Sequence, residues 1–142
     1  MRKKFSTAST ETVTLSRGDE SLTFTITAVP PGYSTSLEAL IPFTTFVKGQ
    51  SVELDHGRME ERKELRAFAI LAKALEADGC LETQPPTSSA SPEQWIAYAQ
   101  AVREEMKAAL LTEGEISHLV RTASRVSQGK NIIEEAERHL GN

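Results

Sequence analysis

The sequence is poor in the features on which disulfide-bonded, zinc-binding and membrane proteins depend. Cys80 is the only cysteine among 142 residues, so no disulfide can form within the chain and a cysteine-based zinc site is excluded. No apolar run approaches the roughly 20 residues that a membrane-spanning helix needs. The basic residues Arg2, Lys3 and Lys4 are not followed by the apolar segment of a secretory signal. We therefore expect a cytoplasmic protein that does not bind a membrane.

Sequence motifs that position a nucleophile or a phosphate group are also missing. The chain contains no Gly-x-Ser-x-Gly turn and no glycine-rich phosphate loop. Its histidines, His56, His118 and His139, show no His–His or His–carboxylate arrangement of the kind that holds a metal. Adjacent glutamates fall on predicted helices among basic residues, where a solvated helical face accounts for them. We therefore predict a protein without enzymatic activity, cofactor or metal.

The charge balance is mildly acidic, with a formal net charge of −4 and a pI of 5.4. A chain of this charge repels nucleic acid overall. Hydrophobic residues at 39% and charged residues at 25% are ordinary for a globular protein and too apolar for a disordered one. At this length about two-thirds of the unfolded surface can be buried, provided that the chain forms one body. We therefore expect a single small core.

Alternation of apolar and polar residues is clearest near the N-terminus and predicts a β-hairpin. Residues 12–16 and 21–28 alternate, and residues 17–20 form the connecting loop with one glycine. One face is apolar and the other is almost entirely serine and threonine, which suit a solvated strand surface. A lone hairpin is marginal in water, so the apolar face needs a cover. The apolar residues are Val13, Leu15, Leu22, Phe24, Ile26 and Ala28.

Proline and glycine punctuate the segment that follows the hairpin. The Pro30-Pro31-Gly32 run predicts the end of the second strand. Residues 34–41 then read as a short helix with a serine or threonine cap, ended by Pro42. Residues 42–54 contain several apolar side chains without a clear period. We interpret them as an ordered loop, or as a loop that a partner orders.

Longer helices are predicted over 55–78, 91–111, 113–127 and from Asn131 to the end. The first carries an apolar stripe and ends before Gly79, and the Ser91 and Thr112 starts both match the capping-box pattern. Residues 82–90 read as a linker or a flexible loop. The predicted inward-facing residues of these helices are Leu65, Phe68, Leu71 or Ala72, Leu75, Trp95, Ala99, Val102, Met106, Leu110, Ile116, Leu119, Val120, Ala123, Val126, Ile132, Ile133, Ala136 and Leu140.

These elements predict an α+β fold that is mostly α, in which the N-terminal hairpin packs with a bundle of about four to five helices. Residues 1–50 would hold the hairpin and the short helix. Residues 51–142 would hold the helical region, with a linker at 82–91. Because each part alone would be marginal at this size, we expect both to pack as one compact unit.

Three features are candidates for contact with another protein. The first is the set of aromatic side chains Trp95, Tyr98 and Tyr33, because aromatic residues anchor many interfaces, although Trp95 also fits a small core. The loop with two phenylalanines is a second candidate, because exposed phenylalanines usually mark contact surfaces. The open edge of the hairpin is a third, since it could accept a strand from a partner or from a second copy in self-association. The candidate partner-binding residues are Tyr33, Phe43, Phe46, Trp95 and Tyr98.

The C-terminal segments also fit an alternative hypothesis, which is DNA binding. The helix over 113–127, the turn at 127–130 and the last helix have the spacing of a helix-turn-helix, and His118, Arg121 and Arg125 share one outer face. In such a motif the second helix reads the DNA, and this one is rich in glutamates that phosphates would repel. Nucleic acid is therefore disfavoured as a partner.

The N-terminal organisation resembles that of the tail assembly chaperones of long-tailed bacteriophages. Val13–Glu20 and Phe24–Tyr33 resemble their hairpin followed by a proline–glycine–aromatic turn, and Leu111–Ile116 with Leu119 and Val120 resembles a helix start in their C-terminal part. The resemblance covers about half of the chain. It implies a protein that binds the tape measure protein, keeps its long apolar helices soluble and recruits tail tube subunits. A structural or adaptor protein of a phage tail is the alternative, with a helix-turn-helix regulator as a further one.

Overall fold

Short hairpins and capped helices follow one another in the computed structural model, which describes residues 1–129. The fold is α+β and mostly helical, as predicted, with four helices and two antiparallel hairpins in that range. The predicted helix from Asn131 lies outside the described residues. The elements are β1 (Thr10–Arg17), β2 (Glu20–Thr27), α1 (Tyr33–Leu40), β3 (Thr44–Val47), β4 (Gln50–Glu53), α2 (His56–Ala74), α3 (Pro92–Ala108) and α4 (Glu113–Ser127).

The first hairpin, β1–β2, has the predicted apolar face, with Val13 opposite Phe24 and Glu11 opposite Ile26. Its turn is tighter than the predicted loop, because only Gly18 and Asp19 separate the paired strands. Gly18 takes φ +55° at the first turn position, where two-residue hairpins require the freedom of glycine. Helix α4 covers the apolar face, except at Leu22, which is 51% exposed near the turn.

The second hairpin, β3–β4, corrects the prediction of a loop over 42–54. Thr45 lies opposite Val52 and Val47 opposite Gln50, with Lys48 and Gly49 forming the turn. Both turn residues have positive φ, at 52° and 79°, as a type I′ turn demands. This turn matches the natural twist of two antiparallel strands. The sequence shows no alternation here because both faces of the hairpin lie in solvent, so no pattern of apolar residues is required.

Side-chain caps define three of the four helix starts. Asp55 accepts a hydrogen bond from the Arg58 amide at 2.9 Å to begin α2, and Ser91 and Thr112 form the predicted capping boxes of α3 and α4. The predicted serine or threonine cap of α1 is wrong. That helix begins one residue earlier, after Gly32, whose φ of +85° turns the chain without a side-chain cap.

Two helix ends differ from the predictions. Helix α2 ends at Ala74, and turns carry the chain to Gly79, whose φ of +75° fits the predicted left-handed stop. Helix α3 ends at Ala108, so Leu110 leaves the predicted apolar stripe, takes φ +64° and is 72% exposed. The remaining stripe residues of α2, α3 and α4 face inward as predicted, and all are buried or half-buried.

The core joins the first hairpin to the helices. Helix α2 packs against α3 and α4, α1 packs against α2 and α3, and α4 lies across β1 and β2. The predicted linker is held to α3 by Glu105, whose carboxylate accepts hydrogen bonds from the backbone amides of Glu82 at 2.7 Å and Thr83 at 2.8 Å. Of the elements in the described range, β3–β4 therefore has the fewest contacts with the others.

Candidate protein-binding surface

The β3–β4 hairpin stands away from the helices. Within residues 1–129 its strands have extensive contacts only with each other. Every residue of the two strands is exposed except Thr45, which is half-buried. Since an isolated two-stranded hairpin is marginal in water, this element has little apolar burial of its own to stabilise it.

Both faces of this hairpin carry exposed apolar side chains. The register places Phe46 on one face, beside Ser51, and places Val47 and Val52 together on the other. Phe46 is 78% exposed, Val47 51% and Val52 43%. Neither face therefore rests on the body of the protein, and both are open to another molecule. We call these three side chains the hairpin patch.

The base of the hairpin is anchored to α2 by a cation–π contact and hydrogen bonds. The Arg66 guanidinium lies 3.7 Å from the centre of the half-buried Phe43 ring, and its Nε donates to the Ile41 carbonyl at 2.8 Å. Partial burial lowers the pKa of Arg66 from its usual value. Leu54, buried at 4% exposure, donates its amide to the Phe43 carbonyl at 2.9 Å. The hairpin is thus held at one end and free at the other.

The structure divides the five predicted partner-binding residues. Only Phe46 is openly exposed, whereas Phe43 belongs to the anchored base. Trp95 and Tyr98 are each 7% exposed and form an edge-to-face pair with ring centres 5.7 Å apart, which favours the core role over the interface role. Tyr33 is half-buried and joins the same packing, since its ring lies against the core cluster.

Burial also makes these two tyrosines weaker acids. It raises the pKa of Tyr98 to about 12 and raises the pKa of Tyr33 further still, with nearby Glu76 adding to both shifts. Both phenols therefore stay protonated near neutral pH. Both residues contribute to packing, since Tyr98 is buried and Tyr33 lies against the core cluster.

Groups that could support catalysis or metal binding are dispersed. Cys80 is exposed as a residue, but partial desolvation of its thiol and the neighbouring Asp78 raise the pKa of that thiol to about 12, so the thiolate is scarce at neutral pH. His56 and His118 are both exposed. Among the described residues, no three side chains of His, Cys, Asp or Glu lie close enough to hold a metal ion.

The predicted DNA-binding face is altered by an ion pair. Arg125 donates to the Glu11 carboxylate of β1 at 2.6 Å, while His118 and Arg121 are exposed. The helix that would read the DNA lies outside the described residues. The outer face of α4 is therefore partly used in packing against the first hairpin.

The sequence feature that indicates the second hairpin is its turn, and not an alternation of apolar and polar residues. Lys48-Gly49 separates two four-residue segments, and a glycine in that position favours a type I′ turn. Phe46 is a candidate from the sequence alone. That Val47 and Val52 share the opposite face depends on the register of the two strands, which pairs Val47 with Gln50 and Val52 with Thr45.

No helix within residues 1–129 combines the length and apolar character needed to cross a bilayer. Comparison of the chain with protein-family models, with curated proteins and with solved structures found no match.

Proposed function

We propose that this chain is a non-enzymatic protein-binding protein that acts as a phage tail assembly chaperone, with the hairpin patch as the surface that contacts the tape measure protein. One observation supports the proposal above the others. Phe46, Val47 and Val52 are exposed on both faces of a hairpin that, within residues 1–129, is held at its base.

Burial of the patch by a client would be favourable. Fully burying one valine or phenylalanine side chain contributes roughly 1.5–3 kcal/mol, so the three residues together supply several kcal/mol. Part of this is offset by ordering the side chains and losing freedom on association. The remainder suits a client that must be bound during assembly and released afterwards.

The shape of the hairpin matches the chemistry of such a client. A tape measure protein exposes long apolar helix faces before the tail tube encloses it, as the resemblance to tail assembly chaperones implies. A thin ribbon with Phe46 on one face and two valines on the other can lie between two such helices and cover both. Lys48 at the tip is exposed and keeps that end of the ribbon solvated. Recruitment of tail tube subunits would use other parts of the surface.

A co-expression pull-down tests the proposal. The bait is this chain, and the probe is the tape measure protein, taken as the longest predicted helical protein of the same gene cluster. We expect Phe46→Ala with Val52→Thr to reduce recovery of the probe at least about tenfold, because two anchors of the patch are lost.

The matched control is Leu22→Ala. Leu22 is 51% exposed, like the patch residues, but it belongs to the first hairpin. This variant should recover the probe as well as the unmodified chain does. Equal recovery by the patch variant, with an unchanged circular dichroism spectrum, would contradict the proposal. Recovery of the chain itself from purified virions would favour the adaptor alternative.

A further inference from the structure

The outer edge of β1 is open along its whole length. The two-residue turn closes on the Arg17–Glu20 pair, so hydrogen-bonded pairs alternate from there along the hairpin. Residues with even numbers on β1 therefore turn their amide and carbonyl groups outward. Within the described part of the chain, none of these groups has a hydrogen-bond partner. They belong to Thr10, Thr12, Thr14 and Ser16.

The outer edge of β2 is different at its C-terminal end, where other elements form hydrogen bonds with it. The outward amide of Thr25 donates to the Asp78 carboxylate at 2.7 Å. Just beyond the strand, the Val29 amide donates to the Ser127 hydroxyl of α4 at 3.0 Å. Within residues 1–129, the outer edge of β2 is therefore bound at Thr25 and Val29, whereas the outer edge of β1 is free.

The free edge lacks the usual devices that prevent strand addition. Natural edge strands carry lysines, prolines or bulges that deter pairing. The solvent face of β1 has only threonine and serine from Thr10 to Ser16. The charges of this strand are used elsewhere, since Glu11 pairs with Arg125 and Arg17 pairs with Glu115 of α4.

We propose that β1 pairs antiparallel with β1 of a second copy of this chain, giving a four-stranded sheet in a symmetric dimer. A two-fold axis at Val13 places Thr12 opposite Thr14 of the second copy and Thr10 opposite its Ser16. Threonine pairs already cross the hairpin itself, where the hydroxyls of Thr14 and Thr23 lie 3.1 Å apart. Such pairs stabilise neighbouring strands.

Charge and topology both favour a second copy as the occupant. Antiparallel pairing brings the basic start of one chain, with Lys3 and Lys4, towards the acidic turn of the other, with Asp19 and Glu20. A two-fold axis uses the β1 edge of both copies, so that edge is filled on each side and the assembly closes as a dimer. The β2 edge is interrupted at Thr25, whose amide is bound to Asp78.

The dimer should be weak. Helix α4 already covers the apolar face of the hairpin, so the new contact adds backbone hydrogen bonds and threonine pairs but little apolar area. Interfaces below about 1,200 Å² belong to the weak, transient class. Sedimentation equilibrium from about 1 µM to about 1 mM covers the range in which such a dimer dissociates.

The register can be tested by charge. Thr12→Lys with Thr14→Lys would place introduced lysines directly opposite each other, twice per dimer, and should raise the dissociation constant about fivefold or more. Thr12→Lys with Thr14→Glu would place opposite charges there and should leave the dimer as strong as the unmodified one or stronger. Ser21→Lys with Thr23→Lys is the matched control on the solvent face of β2, and it should weaken the dimer less than the β1 pair does.

Three outcomes would overturn the proposal. The first is a chain that stays monomeric up to about 1 mM. The second is a dimer whose strength the paired lysines on β1 do not change. The third is equal weakening by the lysine–lysine and lysine–glutamate variants, which would exclude this register. Circular dichroism melting confirms that each variant is folded. Loss of client binding through the hairpin patch affects none of these readouts.

Discussion

The two hairpins of this protein are built from similar residues and stabilised in opposite ways. The first is covered on its apolar face by α4, and its Val13, Phe24 and Ile26 are buried. The second has apolar residues on both faces, and no other element between residues 1 and 129 covers either face. Our proposal that the second hairpin contacts a partner depends on this difference, because exposed apolar patches are typical of contact surfaces.

The largest expected difference between the hairpins is in the cost of losing a phenylalanine. Phe24 is 8% exposed and Phe46 is 78% exposed. We expect Phe24→Ala to lower the free energy of unfolding by about 3–5 kcal/mol, because it removes core packing and leaves a cavity. Phe46→Ala should change it by less than about 0.5 kcal/mol. Urea unfolding followed by circular dichroism measures both, and comparable losses would mean that the second hairpin is part of the folding core.

An intermediate effect is expected at the base of the second hairpin. Phe43→Ala removes a half-buried ring and its contact with Arg66, 3.7 Å from the ring centre. The combined loss of burial and cation–π attraction should be roughly 1–2 kcal/mol. Hydrogen exchange should show faster exchange of the β3–β4 amides than of the β1–β2 amides, both before and after the change. Slower exchange in β3–β4 would contradict the view that it is held only at its base.

The smallest expected effect is the pH dependence that comes from the ion pair between the first hairpin and α4. Arg17 of β1, bonded to Glu115, holds the pKa of that carboxyl at about 2, below its usual 4.5. Because the pKa is lower in the folded chain, the stabilisation is present above pH 4.5 and is lost as the pH falls towards 2. Glu115→Gln keeps a residue suited to the capping box but removes the charge.

The unfolding midpoint in urea, measured at several pH values between neutral and strongly acid, tests this expectation. The loss of stability on acidification should be smaller for Glu115→Gln than for the unmodified chain. Glu53→Gln is the control, since Glu53 lies on the second hairpin and forms no ion pair within residues 1–129. A curve for Glu115→Gln that matches the unmodified one would show that the Arg17 pair does not stabilise the fold.

Structural features that depend on residues close together in the sequence were the ones that could be predicted. The capping boxes at Ser91 and Thr112 depend on residues only three positions apart. They were predicted from the sequence, and the structure confirms them. Alternation also located the face of the first hairpin, since one side had to be apolar. Leu110 was wrongly predicted to face inward, because helix α3 ends two residues before it. The spacing of apolar residues alone does not show whether a helix ends or continues at that point.

Long-range contacts were beyond the sequence. Nothing local to Arg125 or Arg17 points to a partner about a hundred positions away, yet each forms an ion pair between the first hairpin and α4. The same holds for Asp78, whose carboxylate protects the edge of β2. Of the exposed side chains in the candidate site, the sequence pointed to Phe46. The register of the two strands decides which side chains share a face with one another.

The sequence by itself determined which segments form helices and the first hairpin, because apolar period and capping act over a few residues. Only the tertiary structure decided that Trp95 and Tyr98 lie inside and that Phe46, Val47 and Val52 lie outside. It also decided that Asp78 binds the β2 edge at Thr25, while the β1 edge has no partner within residues 1–129. The physical reason is that burial depends on which elements meet. Those meetings are set by the total apolar area that the whole chain can remove from water.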